Sequence, residues 1–183
     1  MAKRDANVIT LGSGIPYIME MPSNGTLPTV DAICVASNRL GYVKGGAALT
    51  YTAEPHEEKD DLGYVSKVIT TSEEVLLKLG LITWNGSTLQ KLVDRCTVTE
   101  EGGKRTIKIG GAGNAQGKEW VVCFHHVDQK DGDLYVLIKG NNTAGLTLTF
   151  AADAGTVIEP EFKALPQDDN GTLVQIIEEM PTA

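Results

Sequence analysis

The sequence predicts a mainly β fold, a β-sandwich or barrel with one short flanking helix and one long projecting β-hairpin. Three observations carry this expectation. Short strand-like stretches separated by turn signals recur along the chain. Twenty glycines with only 5% aromatic residues favour many turns around a modest core. The stretch Leu40 to Trp84 holds two strand-like segments on either side of an acidic tip. At 183 residues, with 42% hydrophobic and 22% charged residues, the chain has material for one proper core and too little for two. We therefore expect one β domain over residues 1–183, with an N-terminal arm (1–14) and the long hairpin (46–82). No internal repeat is visible.

After a polar arm, Asn7 to Leu11 reads as a short strand, and Ile15 to Met21, past Gly12-Ser13-Gly14, as a second. Pro22-Ser23-Asn24-Gly25 marks a turn. Val30 to Ser37 is apolar but short, and reads as a loop or brief strand. In the hairpin, Leu49 and Tyr51 alternate with Thr50 and Thr52, and Lys67 and Ile69 with Val68 and Thr70, the period of two that strands require. Between them Glu57-Glu58-Lys59-Asp60-Asp61-Leu62-Gly63 ends in a glycine suited to the positive φ of a tight reversal. Arms of about a dozen residues, at ~3.3 Å each, span roughly 40 Å, so part of the hairpin projects beyond its own domain.

Local signals conflict at Thr71-Ser72-Glu73-Glu74, which resembles a helix-capping box before Val75 to Leu79. Gly80 and Leu81-Ile82-Thr83-Trp84 favour a strand instead, because glycine weakens a helix interior and β-branched and aromatic residues suit a sheet. The expected helix follows an Asn85-Gly86 turn, with Ser87 as N-cap, Gln90 three residues on, and Leu89, Leu92 and Val93 as its apolar stripe. Further strands are expected at Cys96 to Thr99, Thr106 to Ile109, Glu119 to Val127, Leu134 to Lys139, Leu146 to Phe150, Val157 to Phe162 and Leu173 to Ile177. Glu100 to Gly103 reads as a turn and Gly110 to Gly117 as a glycine-rich loop.

Composition narrows the function classes. A formal net charge of −8 with no cluster of Lys and Arg argues against a protein that wraps nucleic acid. No apolar run approaches the ~20 residues of a membrane span, and the opening Met1 to Ala6 lacks a signal-peptide core, which places the protein in a cytosol. Cys34, Cys96 and Cys123 are odd in number without metal-type spacing and read as free thiols buried as small hydrophobes. Asn24-Gly25, Asn85-Gly86 and Asn170-Gly171 read as turns more than as glycan sites.

Catalytic signals are weak. The 110–117 loop lacks the Lys-Ser/Thr of a P-loop and leads into a strand, so a mobile hairpin turn is the expected role. His125 and His126 are strand neighbours on opposite faces and cannot easily chelate one ion; one packed and one exposed histidine is expected. The acidic pairs Glu57-Glu58, Asp60-Asp61, Glu73-Glu74, Asp168-Asp169 and Glu178-Glu179 read as solvated faces, since a glycosidase needs two carboxylates at a defined separation across a cleft. No catalytic residue, metal or cofactor is expected, and the chain is not read as an enzyme.

One resemblance is specific. Gly41-Tyr42-Val43-Lys44-Gly45-Gly46-Ala47 leading into Leu49-x-Tyr51, then Glu54-x-x-Glu57, Asp60-Asp61-Leu62-Gly63, and Glu73-Glu74 before Leu81-x-Thr83-Trp84 resemble the major tail tube proteins of long-tailed, siphovirus-like bacteriophages of Gram-positive bacteria. The opening Lys3-Arg4-Asp5-Ala6-Asn7-Val8, followed by Gly12-x-Gly14, is similar to the start of such proteins. The resemblance covers about half the chain, and beyond Cys96 it extends only to composition and length.

It implies a β-sandwich protomer with a flanking helix that self-assembles into stacked hexameric rings forming a hollow virion tail. The hairpin and terminal arms would reach neighbouring subunits. The implied partners are further copies of the chain, with tape measure, tail terminator and distal tail proteins, and assembly would occur in the host bacterial cytoplasm. Double-stranded DNA would pass transiently and non-specifically, because hydroxyls and carboxylates in a lumen repel phosphate. Within this frame Thr50, Thr52 and Glu54 are expected to face the lumen, and Glu57, Glu58, Lys59, Asp60, Asp61 and Leu62 to contact the next ring. The alternatives are a tube protein of a contractile injection system, or a monomeric binding or virion-decoration module using Trp84, Trp120 and tyrosines as an aromatic groove.

Overall fold

A computed structural model describes residues 9–179. The fold is mainly β, as expected: β1 (Gly14–Glu20), α1 (Val30–Ile33), β2 (Val43–Lys59), β3 (Ser66–Leu81), α2 (Gly86–Leu92), β4 (Cys96–Glu101), β5 (Lys104–Ile109), β6 (Trp120–His126), β7 (Leu134–Asn142), β8 (Glu161–Leu165) and β9 (Gln175–Glu178). A 7-stranded antiparallel sheet has the order β1-β6-β7-β8-β3-β2. β9 joins it on β7 at Leu134 to Leu137, beside the stretch Lys139 to Asn142 that takes β8. β4 and β5 form a separate two-stranded sheet.

Period-two alternation gives the large sheet two apolar faces. On one, Ile18, Val122, Ile138, Phe162, Val75, Leu77, Leu79 and Leu81 form the main core. Leu89 and Leu92 of α2 cover it, with Ile107 of β5 and with Leu146 and Leu148. On the other, Tyr17, Val121, Cys123, Tyr135 and Leu137 pack under Ile33 of α1. The sandwich is lopsided, its second layer built from one helix and one small hairpin.

Several expected elements differ. Residues 9–11 form no strand, and Ile9 and Leu11 are exposed, because no neighbouring ladder receives them; residues 7–8 lie outside those described. Residues 30–37 hold α1 and the start of a 3-10 turn, Ala36–Asn38, in place of a loop or strand. Leu146 to Phe150 keeps the period of two, with Leu146 and Leu148 on the core, but joins no ladder. Of Val157 to Phe162 only Ile158 bridges to Leu81 before β8 starts, since Pro160 has no N–H to donate. Glu100 and Glu101 belong to β4, which leaves Gly102-Gly103 as the turn.

Asn85-Gly86 is not a turn but the start of α2, and Asn85, not Ser87, is its N-cap. Asn85 Oδ1 accepts from the Thr88 N–H at 3.1 Å, and Thr88 Oγ1 accepts from the Asn85 N–H at 3.3 Å. Asparagine caps well because its short side-chain carbonyl reaches the third free N–H, leaving Ser87 inside the first turn. Asn24-Gly25 and Asn170-Gly171 are turns as expected, with φ of 71° and 76° at the glycines.

Candidate assembly surface

The hairpin organises the surface. β2 and β3 pair in register from Val43↔Leu81 to Lys59↔Ser66, so the arms run from 43 to 81 and exceed the expected 46–82 segment only at its start. At ~3.3 Å per residue, the 17 residues of β2 span about 56 Å. β3 meets β8 at Leu76 to Lys78 and the 158–160 segment just beyond, so, among the described residues, 66–75 pair with β2 alone. β2 is the end strand of the sheet, and among the described residues its outer edge is unpaired along its whole length.

Two irregularities shape the arms. Gly45 and Gly46 take φ of 87° and 80° at a register shift, and the bulge presses Lys44 against Gly80, where a Cβ would lie 2.2 Å from the Lys44 carbonyl oxygen. The second shift falls between Glu54 and Pro55. Proline cannot donate to a ladder and is tolerated at an edge bulge, where Thr71 Oγ1 donates instead to the Glu54 carbonyl at 2.9 Å.

Register fixes which side of the sheet each hairpin residue takes. Leu49 pairs with Leu77 and Tyr51 with Val75 on the core side, so Thr50, Thr52 and Glu54 share the opposite, solvent-exposed face with Leu76, Glu74 and Ser72. That face is polar and internally paired: Lys163 Nζ lies 2.7 Å from Glu74 Oε2, Lys78 Nζ lies 2.7 Å from Glu161 Oε2, and Ser72 Oγ donates to Glu54 Oε2 at 2.9 Å.

At the tip, Glu57, Glu58 and Lys59 still belong to β2, and the reversal occupies 60–65. Asp60 is spent on the turn: its carboxylate accepts from the Val65 N–H at 2.7 Å and the Leu62 N–H at 3.2 Å, and these bonds hold its pKa below the ordinary carboxylate value. Asp61 and Leu62 are left outward, Leu62 at 75% exposure. Beside them Tyr64, Val65, Val68 and Ile69 are also exposed, Tyr64 at 83%. Sequence reasoning singled out the tip from Glu57 to Leu62 and missed the apolar residues beyond it, whose signal was Tyr64-Val65 followed by Val68-Ile69.

The other candidates disperse. The 110–117 loop is no hairpin, because β5 and β6 lie in different sheets. Asn114 Nδ2 donates to the Gly110 carbonyl at 2.6 Å and Gln116 Nε2 to the Gln90 carbonyl at 2.8 Å, tying the loop to α2. Neither His125 nor His126 is exposed. His126 is buried against the Ser13 carbonyl at 2.9 Å, while His125 stacks on Tyr135 and lies 2.7 Å from Asp133. Among the described residues no cluster of His, Cys, Asp and Glu could hold a metal ion.

The acidic pairs split across strand faces or serve loops. Glu73 accepts from Tyr51, Glu179 from Tyr135, and Asp168 caps its own turn through the Asn170 and Thr172 N–H groups. Cys96 and Cys123 are buried free thiols, and Cys34, only half-buried, has its Sγ 3.6 Å from that of Cys123. Trp120 is buried under Lys118, and Trp84 packs on the main core. No helix among the described residues is long and apolar enough to cross a membrane. No protein-family model and no curated protein matches this chain.

Proposed function

We propose that this chain is a structural virion protein that self-assembles into stacked hexameric rings forming a hollow tail tube for phage DNA. One observation carries the reading: a hairpin that leaves its own sheet with a 17-residue edge unpaired among the described residues and an apolar patch at its tip. An exposed edge of that length templates pairing with another strand, and natural proteins cover it, shorten it or use it. A ring of identical subunits uses it, each edge meeting the next copy by one repeated rotation until the ring closes. The hydroxyl and carboxylate face of Thr50, Thr52 and Glu54 suits a lumen that DNA slides through without holding, and the tip from Glu57 to Leu62 suits contact with the next ring. Tape measure, terminator and distal tail proteins would then meet the tube inside and at its ends. An aromatic binding groove built on the tryptophans is disfavoured, since Trp120 is buried and Trp84 belongs to the core.

Negative-stain electron microscopy of the purified chain, concentrated and dilute, tests this. Rings or hollow tubes with six-fold end views are expected in the concentrated sample. Particles of 19.6 kDa alone, in micrographs and in sedimentation velocity at every concentration, would overturn it.

A further inference from the structure

A polar recess of about 370 Å³ opens between residues 36–42 and the start of α2, and it is lined by two cations, Arg39 and Lys91, with no carboxylate. In a chain of formal charge −8 such a site stands apart. Its walls are tied together. A Cβ at Gly41 would lie 2.4 Å from the Thr83 carbonyl oxygen, so the backbone there passes hard against the end of β3. The Tyr42 N–H donates to Thr83 Oγ1 at 2.8 Å, the Ile82 N–H to the Tyr42 carbonyl at 2.9 Å, and Thr88 Oγ1 to the Leu40 carbonyl at 3.2 Å.

The cations themselves are underused. Arg39 Nη1 donates to the Tyr42 hydroxyl at 2.8 Å with the guanidinium over the tyrosine ring, while its Nε is buried without a partner. The group the guanidinium can offer to an anion is Nη2, which has no hydrogen-bond partner among the described residues and is not enclosed as Nε is. Lys91 is half-buried and has no ion pair among the described residues; desolvation alone acts on it and lowers its pKa. A desolvated ammonium without a counterion is costly, and an anion held between Lys91 and Arg39 Nη2 relieves it.

We propose that the recess between Arg39 and Lys91 is an oxyanion site, which takes a phosphate or a carboxylate. Ser37 and Ser87, on its rim, supply hydroxyl donors to the remaining oxygens. The site belongs to the single chain and does not depend on whether the chain forms tubes.

Equilibrium dialysis of the full chain against radiolabelled inorganic phosphate, at low salt and neutral pH, tests it. Saturable binding of one phosphate per chain is expected, weakened about tenfold or more in Arg39→Gln and in Lys91→Gln. Lys118→Gln, which removes a surface lysine paired with Glu20, leaves it unchanged. Far-UV circular dichroism checks each fold, and Lys91, at the helix surface, provides a variant that folds if the arginine change does not. Excess acetate and a synthetic peptide of residues 54–65 distinguish the sources. Displacement by both assigns the occupant to a side-chain carboxylate such as the acidic tip of a second copy, and displacement by acetate alone to a free solute anion. Phosphate binding that does not saturate, or that is the same in wild type and both variants, would overturn the proposal.

Discussion

Cys34 and Cys123 show how two chemically identical residues diverge through position. The thiol contact with Cys123 lowers the Cys34 pKa, while the same contact and burial drive Cys123 far above the ordinary thiol range, and burial alone raises Cys96. Iodoacetamide is therefore expected to modify Cys34 first in the native protein, with Cys96 and Cys123 reacting only after denaturation, as peptide mass spectrometry would resolve. Equal labelling of all three would contradict the geometry. Asp133 offers a second residue-scale test. Burial pushes its carboxyl up, but the Asp128 N–H and His125 outweigh this and hold it below the ordinary 3.8. A depressed carboxylate contributes stability that is present above the ordinary value and lost as pH falls through the lowered one. The stability deficit of Asp133→Asn, from urea midpoints at a series of pH values, should thus be full near neutrality and shrink on the acid side of 3.8.

The elements make their own tests. The cap of α2 rests on Asn85, so Asn85→Ala is expected to cost about 1 kcal/mol in chemical denaturation, whereas Ser87→Ala stays within about 0.5 kcal/mol. A larger loss at Ser87 would restore the cap that spacing alone suggested. The hairpin separates folding from association. Val75, Leu77, Leu79 and Leu81 are its core residues, and everything from Glu54 to Ser72 lies beyond them. Replacing residues 54–72 by Asn-Gly should leave a cooperative unfolding transition in place and abolish rings in the microscope. Loss of the transition would instead make the outer hairpin part of the folding unit.

At the scale of the molecule, protection follows burial. β6 and β7 lie inside the sheet with both faces covered, while residues 66–73 have one ladder and no core. Native-state hydrogen exchange should therefore rank amides of Val121 to Cys123 and Val136 to Ile138 slowest, and the outer hairpin fastest. On the tube reading, the β2 edge slows by at least tenfold on concentration into rings. An edge that exchanges equally fast in assembled material would place the subunit joint elsewhere.

Local chemistry made the hairpin legible, because alternation in Leu49, Tyr51, Thr50 and Thr52 and a glycine at the tip are short-range signals. The single longer helix was legible for the same reason, though its cap was misplaced by two residues between competing polar side chains. The order of strands and the second core under α1 were decided only in three dimensions. So were the side of the sheet that Thr50, Thr52 and Glu54 occupy, the contact of Cys34 with Cys123, and the recess that Arg39 and Lys91 share. Each depends on which distant strands pair and in what register, and a period of two is compatible with either face until the ladder chooses one.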